Sequence, residues 1–164
     1  MTGFNPFAEA LPAGTEEIQT MPDRVLVVDD SKAIRDLLYG FLRTEGYEVD
    51  LASGGKEALE LARNNNPQVV LLDVRMPGID GVETCRRLRA EKKTRYIPVI
   101  MITGYGANNI DADDVGADDF MDKPFNLSEL RMRLKSAIRI GNITDRAERV
   151  FTYLDELEKN RPES

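Results

Sequence analysis

The sequence predicts an α/β fold: a doubly wound sheet of five parallel strands, helices on both faces, and one extra helix at the C-terminal end. Short β-branched apolar runs alternate with stretches of helical period between about residues 23 and 140. The runs are continuously apolar rather than alternating, as strands buried on both faces are. Right-handed crossovers gather all the strand C-termini on one edge. Asp29, Asp30, Asp73, Thr103 and Lys123 all fall at or just beyond those ends, where open α/β sheets place their sites.

Val25-Leu26-Val27-Val28 is the first strand and runs into Asp29-Asp30. Ser31 has the short oxygen-bearing side chain of an N-cap, and Ile34, Leu37, Leu38, Phe41 and Leu42 recur at helical spacing until Gly46 stops the helix. Tyr47, Val49 and Leu51 alternate as a second strand. Ser53 opens a second helix, with Ala58, Leu59, Leu61 and Ala62 apolar, ending near Asn64-Asn65-Asn66-Pro67. Val69-Val70-Leu71-Leu72 leads into Asp73, and Met76-Pro77-Gly78 turns the chain into a helix over residues 80–92, with Val82, Cys85 and Leu88 inward. Val99-Ile100-Met101-Ile102 ends in Thr103-Gly104. Residues 106–116 are poorly helical, Phe120-Met121 forms a short fifth strand closed by Lys123-Pro124, and Asn126 caps a helix reaching about Ile140.

The 164 residues are 41% hydrophobic and 31% charged, with a net charge of −7 and a pI near 4.8. No apolar run reaches the roughly 18–20 residues of a membrane span, and an acidic chain does not offer the basic face of a general nucleic-acid binder. Residues 1–22 have no period and no signal-peptide pattern, so a flexible tail is expected. The single Cys85 excludes a disulfide framework and fits a reducing cytoplasm. There is no histidine, which removes His-based triads and His-ligated zinc.

Three carboxylates at one point repel each other and call for a cation. Hard oxygen ligands suit Mg²⁺, which often binds through one or two carboxylates plus a phosphate. Lys123 supplies a point charge for an anion and Thr103 a neutral hydrogen bond. A carboxylate flanked by a metal, an ammonium and a hydroxyl is arranged to accept a phosphoryl group. Gly54-Gly55-Lys56 lacks the full spacing of a phosphate loop. The acids from Asp111 to Asp122 miss a calcium loop, because Val115 takes a ligand position and Asp122 stands where Glu is needed.

Asp29-Asp30 after Val-Leu-Val-Val, Asp73 within Leu-Leu-Asp-Val-Arg-Met-Pro-Gly-Ile-Asp-Gly, Thr103-Gly104, and residues 116–125, Gly-Ala-Asp-Asp-Phe-Met-Asp-Lys-Pro-Phe, together resemble the receiver domain of two-component response regulators over about residues 23–140. The resemblance implies a flavodoxin-like sheet of strand order 2-1-3-4-5 and a cytoplasmic, stand-alone protein that takes phosphoryl from a sensor histidine kinase or phosphotransfer protein. It makes Asp73 the acceptor. Asp30, Asp73 and the backbone carbonyl of Arg75 would ligate Mg²⁺, with Asp29 acting through the metal's water shell. Thr103 and Lys123 would contact the phosphoryl oxygens, Thr103 and Phe120 would form the switch, and a cis Lys123-Pro124 peptide would aim the lysine. Arg75 and Tyr105 occupy positions that modulate dephosphorylation, and their bulk predicts slow self-hydrolysis. Kinase specificity would reside near residues 31–44. The chain would be no enzyme beyond self-phosphorylation and autodephosphorylation, and it would control an unknown downstream protein.

One departure is notable. Thr103 to Lys123 is about two residues shorter than the common family spacing, and residues 106–116 carry Asp111, Asp113 and Asp114 without a base. This weakens the case for the dimerisation face that many receivers build from that region. Beyond the receiver, residues 141–164 form an extension in which Ile140, Ile143, Ala147, Val150, Leu154 and Leu157 recur at heptad spacing, predicting a helix over about 142–159 capped by Asn142 or Thr144. It either folds onto the receiver or pairs with a copy of itself. The segment loosely resembles linker helices joining receivers to output domains, including cyclic-di-GMP phosphodiesterase types. Two rival functions stay open: a regulatory fragment of such a larger protein, and a phosphorylation-independent adaptor. A hydrolase using the carboxylate cluster has no substrate-pocket signal.

Overall fold

The computed structural model describes residues 21–104 and 115–162. Ten elements follow in order: β1 (Arg24–Val28), α1 (Lys32–Thr44), β2 (Glu48–Ala52), α2 (Gly55–Asn65), β3 (Val69–Asp73), α3 (Gly81–Ala90), β4 (Val99–Thr103), β5 (Asp119–Asp122), α4 (Leu127–Ile138) and α5 (Arg146–Lys159). The five strands pair in parallel in the order β2-β1-β3-β4-β5.

Side chains alternate across the sheet and build two cores. One face carries Leu26, Val28, Val70, Leu72, Val99 and Met101, covered by Ala58, Leu59 and Ala62 of α2 and by Cys85 and Leu88 of α3. The other carries Val25, Val27, Val69, Leu71, Ile100 and Ile102, covered by Leu38 and Leu42 of α1, Leu130, Leu134 and Ala137 of α4, and Tyr153 of α5. Every residue of β3 and β4 is buried, the physical reason those runs are continuously apolar.

Oxygen-bearing side chains start four helices. Ser31, Asp80, Asn126 and Asp145 accept hydrogen bonds from the backbone N–H groups of Ile34, Glu83, Ser128 with Glu129, and Glu148 respectively. Three expectations need correction. Ser53 does not cap α2; Gly54 holds that position with no side-chain cap, and the Ser53 N–H instead donates to Glu57 Oε1 at 3.2 Å. The C-terminal helix begins at Arg146 under an Asp145 cap rather than near 142, and neither Asn142 nor Thr144 caps it. Leu37 does not face the core but is 50% exposed on α1. Residues 1–20 of the tail expected over 1–22, and most of the segment 106–116, lie outside the described residues.

Gly81 matters for the site. A Cβ there would lie 2.2 Å from the Asp73 carbonyl oxygen and 2.8 Å from Val74 Cα, both backbone atoms. Its N–H also donates to Val74 O at 2.8 Å. Gly81→Ala is therefore expected to lower the urea midpoint, by roughly the 1–3 kcal/mol of an overpacked core, and to displace the backbone that carries Asp73. A wild-type midpoint would contradict this close packing.

Candidate functional site

The candidate site residues sit where strands end. Asp29 follows β1, Asp73 ends β3, Thr103 ends β4 and Lys123 follows β5. Backbone bonds lock these ends together: the Asp29 N–H donates to Ala52 O at 3.1 Å, and the Lys123 N–H to Thr103 O at 2.7 Å. Lys123 Nζ then lies 3.0 Å from Asp29 Oδ2 and 3.2 Å from Asp73 Oδ1, joining residues 94 and 50 positions apart. The Lys123–Pro124 peptide is cis, as the resemblance implied.

Asp29 is held from both sides. Its Oδ1 accepts from the Ser31 N–H at 2.9 Å, and its carbonyl from Arg35 Nη1 at 2.7 Å. Asp29 and Asp73 are buried while Asp30 is exposed, and one carboxylate oxygen from each lies within 4.8 Å of the others. Burial pushes the Asp73 carboxyl above its ordinary range, the charge on Asp29 pushes the same way, and Lys123 draws it partly back. Burial alone would lower the Lys123 ammonium, but its contacts with Asp29 and Asp73 outweigh that and raise it. This hard, oxygen-only donor set with excess negative charge fits Mg²⁺.

Thr103 is buried at the same edge, but its hydroxyl faces β5, donating to Asp122 Oδ1 at 3.2 Å and Met121 O at 3.4 Å. Phe120 lies one strand over, half-buried against the first core. Arg75 is exposed, two residues beyond Asp73. Tyr105 lies outside the described residues.

The sequence reading missed a second polar assembly at the opposite, N-terminal end of β5. Asp118 Oδ1 accepts from Arg149 Nε at 2.7 Å, and its Oδ2 from Arg89 Nη2 at 3.0 Å, Arg149 Nη2 at 3.2 Å and the Val99 N–H at 2.9 Å. Beside it, Asp119 is bonded by both Arg133 of α4 and the Tyr153 hydroxyl of α5. Arg149 lies off the heptad stripe of the C-terminal helix. It is 8% exposed, and nothing local in sequence tells a charge facing water from one facing a carboxylate thirty-one residues away.

The family comparison decides the identity. Residues 25–135 match the model of the response regulator receiver domain. The chain belongs to the response regulator receiver family. This receiver is 44% identical over 119 residues to Response regulator MprA of Mycobacterium sp. strain KMS, covering 73% of this chain and 52% of that protein. It is 42% identical over 128 residues to Transcriptional regulatory protein ResD of Bacillus subtilis, covering 77% and 52%. The receiver thus spans about half the length of these curated relatives. Among solved structures it resembles a response regulator from Chloroflexus aurantiacus (37% identity, TM-score 0.68, 73% of this chain and 99% of that one). It also resembles the receiver domain of sensor histidine kinase PA1611 from Pseudomonas aeruginosa (30% identity, TM-score 0.67, 73% and 99%), which holds a magnesium ion in its active-site cleft. No helix among the described residues of this receiver is long and apolar enough to cross a membrane.

Proposed function

We propose that this receiver accepts a phosphoryl group on Asp73 and switches a partner protein. The observation that carries the reading is the Asp29–Asp30–Asp73 cluster closed by Lys123 at the C-terminal sheet edge. An Asp73 carboxylate oxygen forms the new O–P bond while the P–N bond to a kinase or phosphotransfer histidine breaks, and the imidazole keeps the bonding electrons and takes up a proton. Lys123 neutralises charge on the incoming phosphoryl oxygens. Asp30, Asp73 and the Arg75 carbonyl would hold Mg²⁺, with Asp29 acting through its water shell, and the ion when bound would supply further neutralisation of the phosphate. Hydrolysis later returns Asp73 and inorganic phosphate, slowed by Arg75 and Tyr105.

The switch is a population shift between two packings. Thr103 exchanges its bond to Asp122 for one to a phosphoryl oxygen, and Phe120 fills the space behind it. Phe120 has no hydroxyl, so its bias is packing alone. The kinase docks on α1, where Leu37 and Tyr39 stand exposed at 50% and 43%. The work is cytoplasmic, the chain has no enzymatic activity beyond its own phosphorylation and dephosphorylation, and the output is a protein contact rather than DNA. A second reading, the receiver of a longer output protein, is favoured by the 52% coverage of its relatives. Incubation with a small phosphodonor, followed by intact mass, tests the main reading. One added phosphoryl group with Mg²⁺ and none with EDTA is expected; no addition with Mg²⁺ would favour a phosphorylation-independent adaptor.

A further inference from the structure

Helix α3 and the segment after it gather positive charge in an acidic chain. Residues 86–95 carry Arg86, Arg87, Arg89, Lys92, Lys93 and Arg95 against one acid, Glu91. Glu91 is already bonded to Arg63, at 2.7 and 2.9 Å. The stretch leads into the start of β4, so it lies at the end of the sheet opposite the carboxylate cluster. There it meets the N-terminal end of α5 across a cleft of about 380 Å³, a volume within the roughly 300–1,000 Å³ of small-molecule sites. Arg86, Arg89, Arg95, Tyr96 and Arg149 line it together with Asp118.

The donors fall into two layers. A guanidinium has five N–H donors, and Arg149 uses all of its own: two on Asp118 and one each on the carbonyls of Ile140, Ile143 and Tyr96. Arg89 uses four, on the carbonyls of Gly116, Arg95 and Ile97 and on Asp118. The two cations share one carboxylate, so the floor of the cleft keeps positive charge and one spare N–H. Burial pushes the Arg89 guanidinium down from its ordinary value; Asp118 draws it back and Arg149 adds to the fall. A further anion beside it favours its charged form. Arg86 and Arg95 form the upper layer. Both are exposed, and neither guanidinium has a carboxylate or carbonyl partner among the described residues. Arg146 also lines the cleft but is already engaged within the chain.

Guanidinium forks bind phosphate oxygens in pairs. A cleft lined by one sign of charge focuses its field, while a chain of net charge −7 repels an anion elsewhere. Tyr96, next to Arg95 and 40% exposed, adds an aromatic face for a base. We propose that this cleft binds a nucleoside di- or triphosphate, its phosphates held by Arg86, Arg95 and the spare N–H of Arg89 and its base against Tyr96. The ligand ties α3 to α5 across Asp118. A recess of this size takes one small molecule, and the acidic remainder of the chain does not extend it into the basic track of a nucleic-acid binder.

Calorimetric titration of the full chain with ADP, GDP and pyrophosphate tests this, in EDTA to keep metal from the carboxylate cluster and at about 150 mM salt to screen loose attraction. The expected result is one site per chain for a nucleotide, with a dissociation constant below about 1 mM. Pyrophosphate is expected to bind about tenfold more weakly, for want of a stacked base. Arg86→Ala with Arg95→Ala is expected to weaken the nucleotide at least ~10-fold, with an unchanged far-ultraviolet circular dichroism spectrum, since both positions are exposed. Tyr96→Leu is expected to bring the nucleotide down to the pyrophosphate value. Neither nucleotide binding below about 1 mM, or binding indifferent to Arg86→Ala with Arg95→Ala, would overturn the proposal. Equal affinities for nucleotide and pyrophosphate would overturn the assignment of a nucleoside. A single-stranded oligonucleotide of about ten residues that binds more tightly than either nucleotide would overturn it in favour of a nucleic-acid surface.

Discussion

Arg149→Ala is expected to cost about 3 kcal/mol, on the scale of breaking a buried pair by removing one partner. The guanidinium donates to Asp118 and also to the carbonyls of Ile140, Ile143 and Tyr96, at 2.9 Å each. Truncation leaves those three carbonyls without this donor and, among the described residues, Asp118 with Arg89 and the Val99 N–H. Each unmet buried group carries a desolvation cost of about 1–3 kcal/mol, which water entering the gap partly repays. Arg149→Lys restores the charge but not the planar fan of donors, so it is expected to recover less than half of the loss. Phe151→Ser, on the exposed side of the same helix, is expected to stay within about 0.5 kcal/mol. Urea unfolding of the three variants checks the ranking, and an Arg149→Ala protein as stable as wild type would show that α5 is not anchored through Asp118. The consequence reaches the switch, because Asp118 and Asp119 immediately precede Phe120. Hydrogen exchange in residues 119–122 should rise together with that of α5.

The second large effect concerns the carboxylate cluster. Two unit charges at 4.8 Å repel by about 3 kcal/mol at an effective dielectric of 20. Asp30 is exposed, so screening reduces its share to about 1 kcal/mol. Asp30→Asn is therefore expected to raise the metal-free melting temperature by about 2–4 °C. In the proposed site the same variant loses a metal ligand. Mg²⁺ is expected to raise the wild-type melting temperature and leave that of Asp30→Asn nearly unchanged, and phosphorylation by a small donor should fall at least ~100-fold. EDTA should reduce the wild type equally and add nothing to the variant. Calorimetric scans with and without Mg²⁺ decide this; an Asp30→Asn protein less stable without metal would show that the cluster is not repulsive.

The fold was legible because its determinants are local or periodic. The three central apolar runs β1, β3 and β4 and the edge stretch Phe120-Met121, with caps such as Ser31 and Asn126, state element type within a few residues of themselves. The site was legible for a different reason. Parallel topology sends each strand's end to one edge, so Asp29, Asp73, Thr103 and Lys123 meet however far apart they lie in sequence. Two things were not fully legible. The hydroxyl of Thr103 faces Asp122 rather than the acceptor, a rotamer that spacing does not encode. The docking of α5 was legible only in part: Ile143 and Leu157 of its heptad stripe pack against the core while Val150 and Leu154 stay exposed, and the docked face also carries Arg149 and Tyr153. Those side chains read as polar surface until their partners Asp118 and Asp119 are brought alongside by the sheet.

The central claim is that Asp73 is the phosphoryl acceptor. Borohydride reduction of the protein after treatment with a small phosphodonor and Mg²⁺, followed by peptide mapping, tests it most directly, since an acyl phosphate is reduced to an alcohol while a free carboxylate is not. The expected result is a single reduced residue at position 73 in the wild type and none in Asp73→Asn. Reduction at another aspartate, or an unchanged level of labelling in Asp73→Asn, would contradict the account.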